Sequence, residues 1–107
     1  MMHQIPEQLL VELKRELKLI YHNQLDGVYL FGSYARGEQD AEFDLDVLIV
    51  LHDYESYSAE VRHTGELISR LSLEYGISIS RTFIRESDWQ KGDSPLVRNI
   101  RDEAVLT

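Results

Sequence analysis

Leu45 to Leu51 reads Leu-Asp-Val-Leu-Ile-Val-Leu, a segment of strand length in which only Asp46 is polar. Successive side chains on a strand point to opposite faces, so an apolar residue at nearly every position fits a strand buried on both sides. A chain organised around such a strand must pack other elements above and below it. The 107 residues suffice for one core of this kind and fall short of two. One domain over residues 1–107, of α/β (α+β) class with helices packed on a small sheet, is the expected architecture.

The flanking patterns supply the covering layers. From Ile5 to Tyr21, Leu9, Leu13, Leu17 and Ile20 recur at helical spacing, with Pro6 where a first turn tolerates it. Asn23 to Gly27 breaks that pattern, and Val28 to Phe31 reads as a short strand. A second helical stripe runs through Tyr57, Val61, Thr64, Ile68, Leu71 and Tyr75, with Gly76 where a helix-ending residue belongs. Ile77 to Ile84 is predicted as a third strand and Glu86 to Gln90 as a short turn of helix. Ser94 before Pro95 signals the start of a closing helix through Leu96, Val97, Ile100 and Ala104.

Composition narrows the partners. Eleven Lys plus Arg against 19 Asp plus Glu leave a net charge of −8, which repels polyanions and disfavours direct nucleic-acid binding. A nucleotide delivered with its metal, or a basic protein, remains compatible with that surface. Cysteine is absent, which removes disulfides, thiolate nucleophiles and cysteine-ligated zinc and makes a cytoplasmic location the expectation. The residues from Met1 to Glu7 do not read as a secretory leader, and no stretch approaches the roughly 20 apolar residues of a membrane span.

The residues that carry chemistry lie between the first two strands. Gly32 ends a predicted strand without a Cβ, which lets a phosphate group approach main-chain N–H groups, and Ser33 adds a hydroxyl. Should Tyr34 to Gly37 open a helix, its amides would face the phosphates, and Arg36 would add a cation one turn on. Asp44 and Asp46, two apart at the opening of the apolar strand, direct both carboxylates to one side. Two hard oxygen ligands so placed suit Mg²⁺ or Mn²⁺, which take their remaining ligands from water and substrate phosphates. Taken singly, a Gly-Ser turn and a pair of nearby aspartates are ordinary surface features; their conjunction is specific.

Gly32-Ser33, ten residues, then Asp44-Leu45-Asp46 resembles the signature of the polymerase-β-type nucleotidyltransferase superfamily. The segment from Leu30 to Glu38, with the Leu73-Glu74-Tyr75-Gly76 helix end and the Trp89 segment, is similar to its minimal nucleotidyltransferase (MNT) branch. The resemblance implies a small mixed sheet with flanking helices, metal ligation and catalysis by Asp44 and Asp46, and triphosphate contact by Gly32 and Ser33. It also implies ATP as substrate and a partner, a helical HEPN ribonuclease toxin for which such proteins serve as antitoxin, some of them by transferring AMP to a tyrosine hydroxyl.

Active members of the superfamily add a third carboxylate from a later strand, here expected at Ser78 within Gly76 to Ser80. A serine hydroxyl brings neither charge nor a competent base. Three readings stand: Glu74 or Glu86 fills the role, Asp44 and Asp46 suffice, or the chain binds nucleotide or partner without chemistry. His22, His52 and His63 lack metal-ligand spacing and read as structural or exposed, Trp89, Tyr57 and Tyr75 as packing anchors, and Arg81 and Arg85 as a solvated face.

Overall fold

The structure, a computed structural model, describes residues 7–32 and 44–107. Helix α1 (Glu7–Tyr21) leads through a 3-10 turn at His22–Gln24 into strand β1 (Leu25–Phe31). Strand β2 (Leu45–Leu51), helix α2 (Tyr57–Tyr75) and strand β3 (Ile79–Arg85) follow. Helices α3 (Glu86–Lys91) and α4 (Pro95–Glu103) and a two-residue strand β4 (Val105–Leu106) close the chain.

The sheet has the order β3-β2-β1-β4, with β2 antiparallel to β1 and parallel to β3. It is therefore mixed, as expected. Parallel neighbours cannot be joined by a tight turn, and α2 is the crossover that this pairing requires. Its ends are set locally: Ser56 caps the first turn by accepting from the Ala59 N–H at 3.3 Å, and Gly76 ends the helix at φ 65°. Ser94 caps α4 in the same way, accepting from the Val97 N–H at 3.1 Å.

Strand β2 is covered on both faces, and its alternation divides the core in two. Leu45, Val47, Ile49 and Leu51 pack with Leu9, Leu13 and Leu17 of α1, with Leu67, Ile68 and Leu71 of α2, and with Ile79 and Phe83 of β3. Leu48 and Val50 face the other way, onto Ile100 of α4, Trp89 of α3 and Tyr29 of β1. Each fully buried Leu, Ile or Val side chain contributes about 1.5–3 kcal/mol, which makes β2 the densest source of stability in the molecule.

Three boundaries differ from the sequence reading. Strand β1 starts at Leu25 rather than Val28, with a register irregularity between Leu25 and Gly27 that accommodates the residues read as a pattern break. Strand β3 starts at Ile79 rather than Ile77, since the left-handed Gly76 and the two residues after it carry the chain from α2 to the sheet edge. Strand β4 was not expected; the Thr107 N–H donates to the Val28 carbonyl at 3.0 Å, extending the pairing that places β4 on the free edge of β1.

Candidate nucleotide and metal site

The two strands that carry the signature meet at one end of the sheet. Phe31, the last residue of β1, pairs with Asp46, and Gly32 follows at once. Gly32 holds φ +78°, a left-handed conformation that side-chain-bearing residues rarely adopt. A Cβ at this position would meet a carboxylate oxygen of Asp46 and would lie 3.1 Å from its Cγ. The glycine is thus needed twice, for the turn and for the approach of the Asp46 carboxylate to the backbone. The sequence reading assigned that open space to phosphate; in the fold an acidic side chain borders it.

Asp46 is half-buried and Asp44, just outside the strand, is exposed. The Leu45 N–H donates to the Ser78 carbonyl at 2.8 Å and fixes this entry against β3. By alternation Asp44 and Asp46 share the face on which Leu48 and Val50 meet α3 and α4, opposite the layer of α1 and α2. Two carboxylates on one side, beside a glycine whose missing Cβ keeps the space open, form a donor set that fits a hard divalent cation. Ser33 and Arg36, the other expected contacts, lie outside the described residues.

The position of the third carboxylate becomes concrete through the register. Asp46 pairs with Ser80, and Ser78, the residue just before β3, lies level with Asp44. Both side chains that β3 sets beside the two aspartates are therefore hydroxyls. Neither substitute considered from sequence is suitably placed. Glu74 faces Arg70 at 3.8 Å, where Arg70 also reaches Glu16 of α1, in the helical layer on the far face. Glu86 follows the opposite end of β3, beyond Arg85, which pairs with Leu51 at the end of β2 away from Asp46.

The remaining polar candidates have structural partners. Arg81 donates from Nε to the buried Thr64 hydroxyl and from Nη2 to the Val61 carbonyl, both at 2.7 Å, stitching β3 to α2. Arg85 donates to Asp53 at 2.8 Å and to the Tyr54 carbonyl at 2.7 Å while its guanidinium lies 4.2 Å from the Tyr54 ring centroid. Neither presents the solvated face read from sequence. Trp89 packs against Tyr29 with ring centroids 5.0 Å apart, as a packing anchor would.

A mixed sheet with a glycine turn set against aspartates at the head of an apolar central strand is the framework of the nucleotidyltransferase class. The family description "Nucleotidyltransferase domain" matches residues 8–106. A relative from Methanocaldococcus jannaschii, named "Putative protein adenylyltransferase MJ0141", is 41% identical over 73 residues, 68% of this chain and 73% of its own. Among solved structures, a toxin-antitoxin crystal structure with AMP-PNP superposes with a TM-score of 0.65 at 20% identity, covering 95% of this chain and 72% of that one. The complex of tri-AMPylated Shewanella oneidensis HEPN toxin with MNT antitoxin gives 0.53 at 17% identity over 92% and 70% of the two chains.

The chain belongs to the nucleotidyltransferase domain family. The resemblance read from Gly32-Ser33 and Asp44-Leu45-Asp46 is borne out at the level of family and fold. Among the described residues no helix is long and apolar enough to cross a membrane.

Proposed function

We propose that the chain is an antitoxin-type nucleotidyltransferase that binds ATP with Mg²⁺ or Mn²⁺ and transfers AMP to a hydroxyl, that of a tyrosine, on a HEPN ribonuclease toxin. The observation that carries this reading is the contact between the left-handed Gly32 and the Asp46 carboxylate, in a chain whose relative bears an adenylyltransferase name. Asp44 and Asp46 would hold the cation, and Gly32, Ser33 and Arg36 would receive the triphosphate. The cation supplies charge neutralisation and Lewis acidity at the phosphates.

In the transfer, the acceptor oxygen forms a bond to the α-phosphorus as the bond to the bridging oxygen of the β-phosphate breaks, and pyrophosphate leaves. The hydroxyl proton passes to solvent or to a base, which neither Ser78 nor Ser80 provides. Net charge −8 suits a basic, RNA-cleaving partner, and a cytoplasmic site of action follows from both roles.

A second reading rests on that same register: with Ser78 and Ser80 beside Asp44 and Asp46, the chain neutralises its toxin by binding alone. Incubation of the protein with α-labelled ATP, Mg²⁺ and its purified partner separates the two. Transfer of label that is lost on Asp44→Ala with Asp46→Ala supports the enzyme. An unlabelled partner that remains bound by the double variant rejects it in favour of the steric antitoxin.

A further inference from the structure

At the end of the sheet opposite Asp46, three side chains from three chain segments converge. Asp26 sits at the irregularity in β1, His52 follows β2, and Glu86 opens α3 directly after β3. One potential ligand atom from each lies within 4.8 Å of the other two. Metal–ligand bonds of about 2.0–2.2 Å place neighbouring donors roughly 3–4 Å apart, so a small side-chain readjustment, with His52 and Glu86 parting to admit the ion, would form the site.

The sheet holds the three in place. The His52 N–H donates to the Gln24 carbonyl at 2.8 Å, tying the end of β2 to the approach to β1. The Glu86 carboxylate is divided between two partners: Oε1 accepts from Gln90 Nε2 at 3.0 Å, and Oε2 lies against His52 Nδ1. The cation nearest in sequence, Arg85, is committed to Asp53 and Tyr54.

We infer that Asp26, His52 and Glu86 bind one divalent transition-metal ion of the Zn²⁺ type, at a site separate from Asp44 and Asp46. Imidazole with two carboxylates selects Zn²⁺, Co²⁺ or Ni²⁺ over Mg²⁺, which favours all-oxygen surroundings and keeps its waters. Six residues of β2, at about 3.3 Å each, separate His52 from Asp46 by roughly 20 Å, so the ion plays no part in nucleotide binding. Its consequence is structural: it clasps the start of β1, the end of β2 and the start of α3.

The test uses tag-free, chelator-treated protein carrying Asp44→Asn with Asp46→Asn, titrated calorimetrically with ZnCl₂. One Zn²⁺ per chain, with affinity reduced by about 10–100-fold on adding His52→Ala and likewise on adding Glu86→Gln in a separate variant, supports the site. A rise in Tm with Zn²⁺ but not with Mg²⁺, lost in the same variants, supports the clasp. Circular dichroism confirms that each variant is folded. Absence of Zn²⁺ binding in the Asp44/Asp46 variant, or binding that survives both His52→Ala and Glu86→Gln, overturns the proposal.

Discussion

Gly32 concentrates the chemistry of this chain into one backbone angle. A left-handed φ costs an alanine about 1–2 kcal/mol wherever it occurs, and at Gly32 the added methyl also displaces the Asp46 carboxylate. Gly76 provides the control, because it shares the left-handed φ, at 65°, and a Cβ there meets nothing within 4 Å. Both substitutions, Gly32→Ala and Gly76→Ala, should lower the urea midpoint, but only Gly32→Ala should also weaken Mn²⁺-dependent ATP binding by at least about tenfold, a loss of roughly 1.4 kcal/mol. Equal nucleotide affinity in the two variants would show that the Asp46 contact is not what the glycine serves. The type of residue at position 32 was legible in sequence. Its neighbour was not, because Asp46 reaches Gly32 only through the β1–β2 register.

Between elements, Tyr21 joins the end of α1 to the first turns of α2. Its hydroxyl donates to Glu60 Oε1 at 2.9 Å, and its ring lies 6.4 Å from that of Phe83 on β3. Burial, and then the hydrogen bond to Glu60, raise the phenol well above its ordinary value of 10.0. The folded protein therefore holds this proton more tightly than the unfolded chain does. The resulting stability is complete below about pH 10 and is lost as the pH climbs from there towards the folded value. Urea midpoints measured from pH 8 to 11 should fall at the alkaline end, and Tyr21→Phe should flatten that fall; an unchanged slope would remove Tyr21 as its source. The helices themselves were readable from sequence, since Gly76 and Ser94-Pro95 act within a turn of their own positions. Strand β4 was not, because its two residues gain their pairing only when α4 returns the chain to the edge of β1.

Over the whole molecule, both halves of the core share β2. Ile49 packs towards α1 and α2, Leu48 towards α4, and both are fully buried. Ile49→Ala should cost about 2–5 kcal/mol and yet leave a single unfolding transition, monitored by far-ultraviolet circular dichroism and tryptophan fluorescence together. Trp89 reports the α3/α4 face, so separate transitions in the two signals would show that the layers unfold independently. The sequence by itself determined the buried central strand, the helices that cover it and the family signature, because apolar period, capping and short motifs are local properties. Tertiary structure alone decided that β1 turns back along β2, bringing Gly32 onto Asp46, and that parallel pairing sets Ser78 and Ser80 beside the aspartates. It also gathered Asp26, His52 and Glu86, which no spacing along the chain could relate. His52, read from sequence as a lone histidine, has its surroundings because the start of β1 and the ends of β2 and β3 lie together. Register is the common cause: a shift of one residue would turn every one of these side chains to the other face.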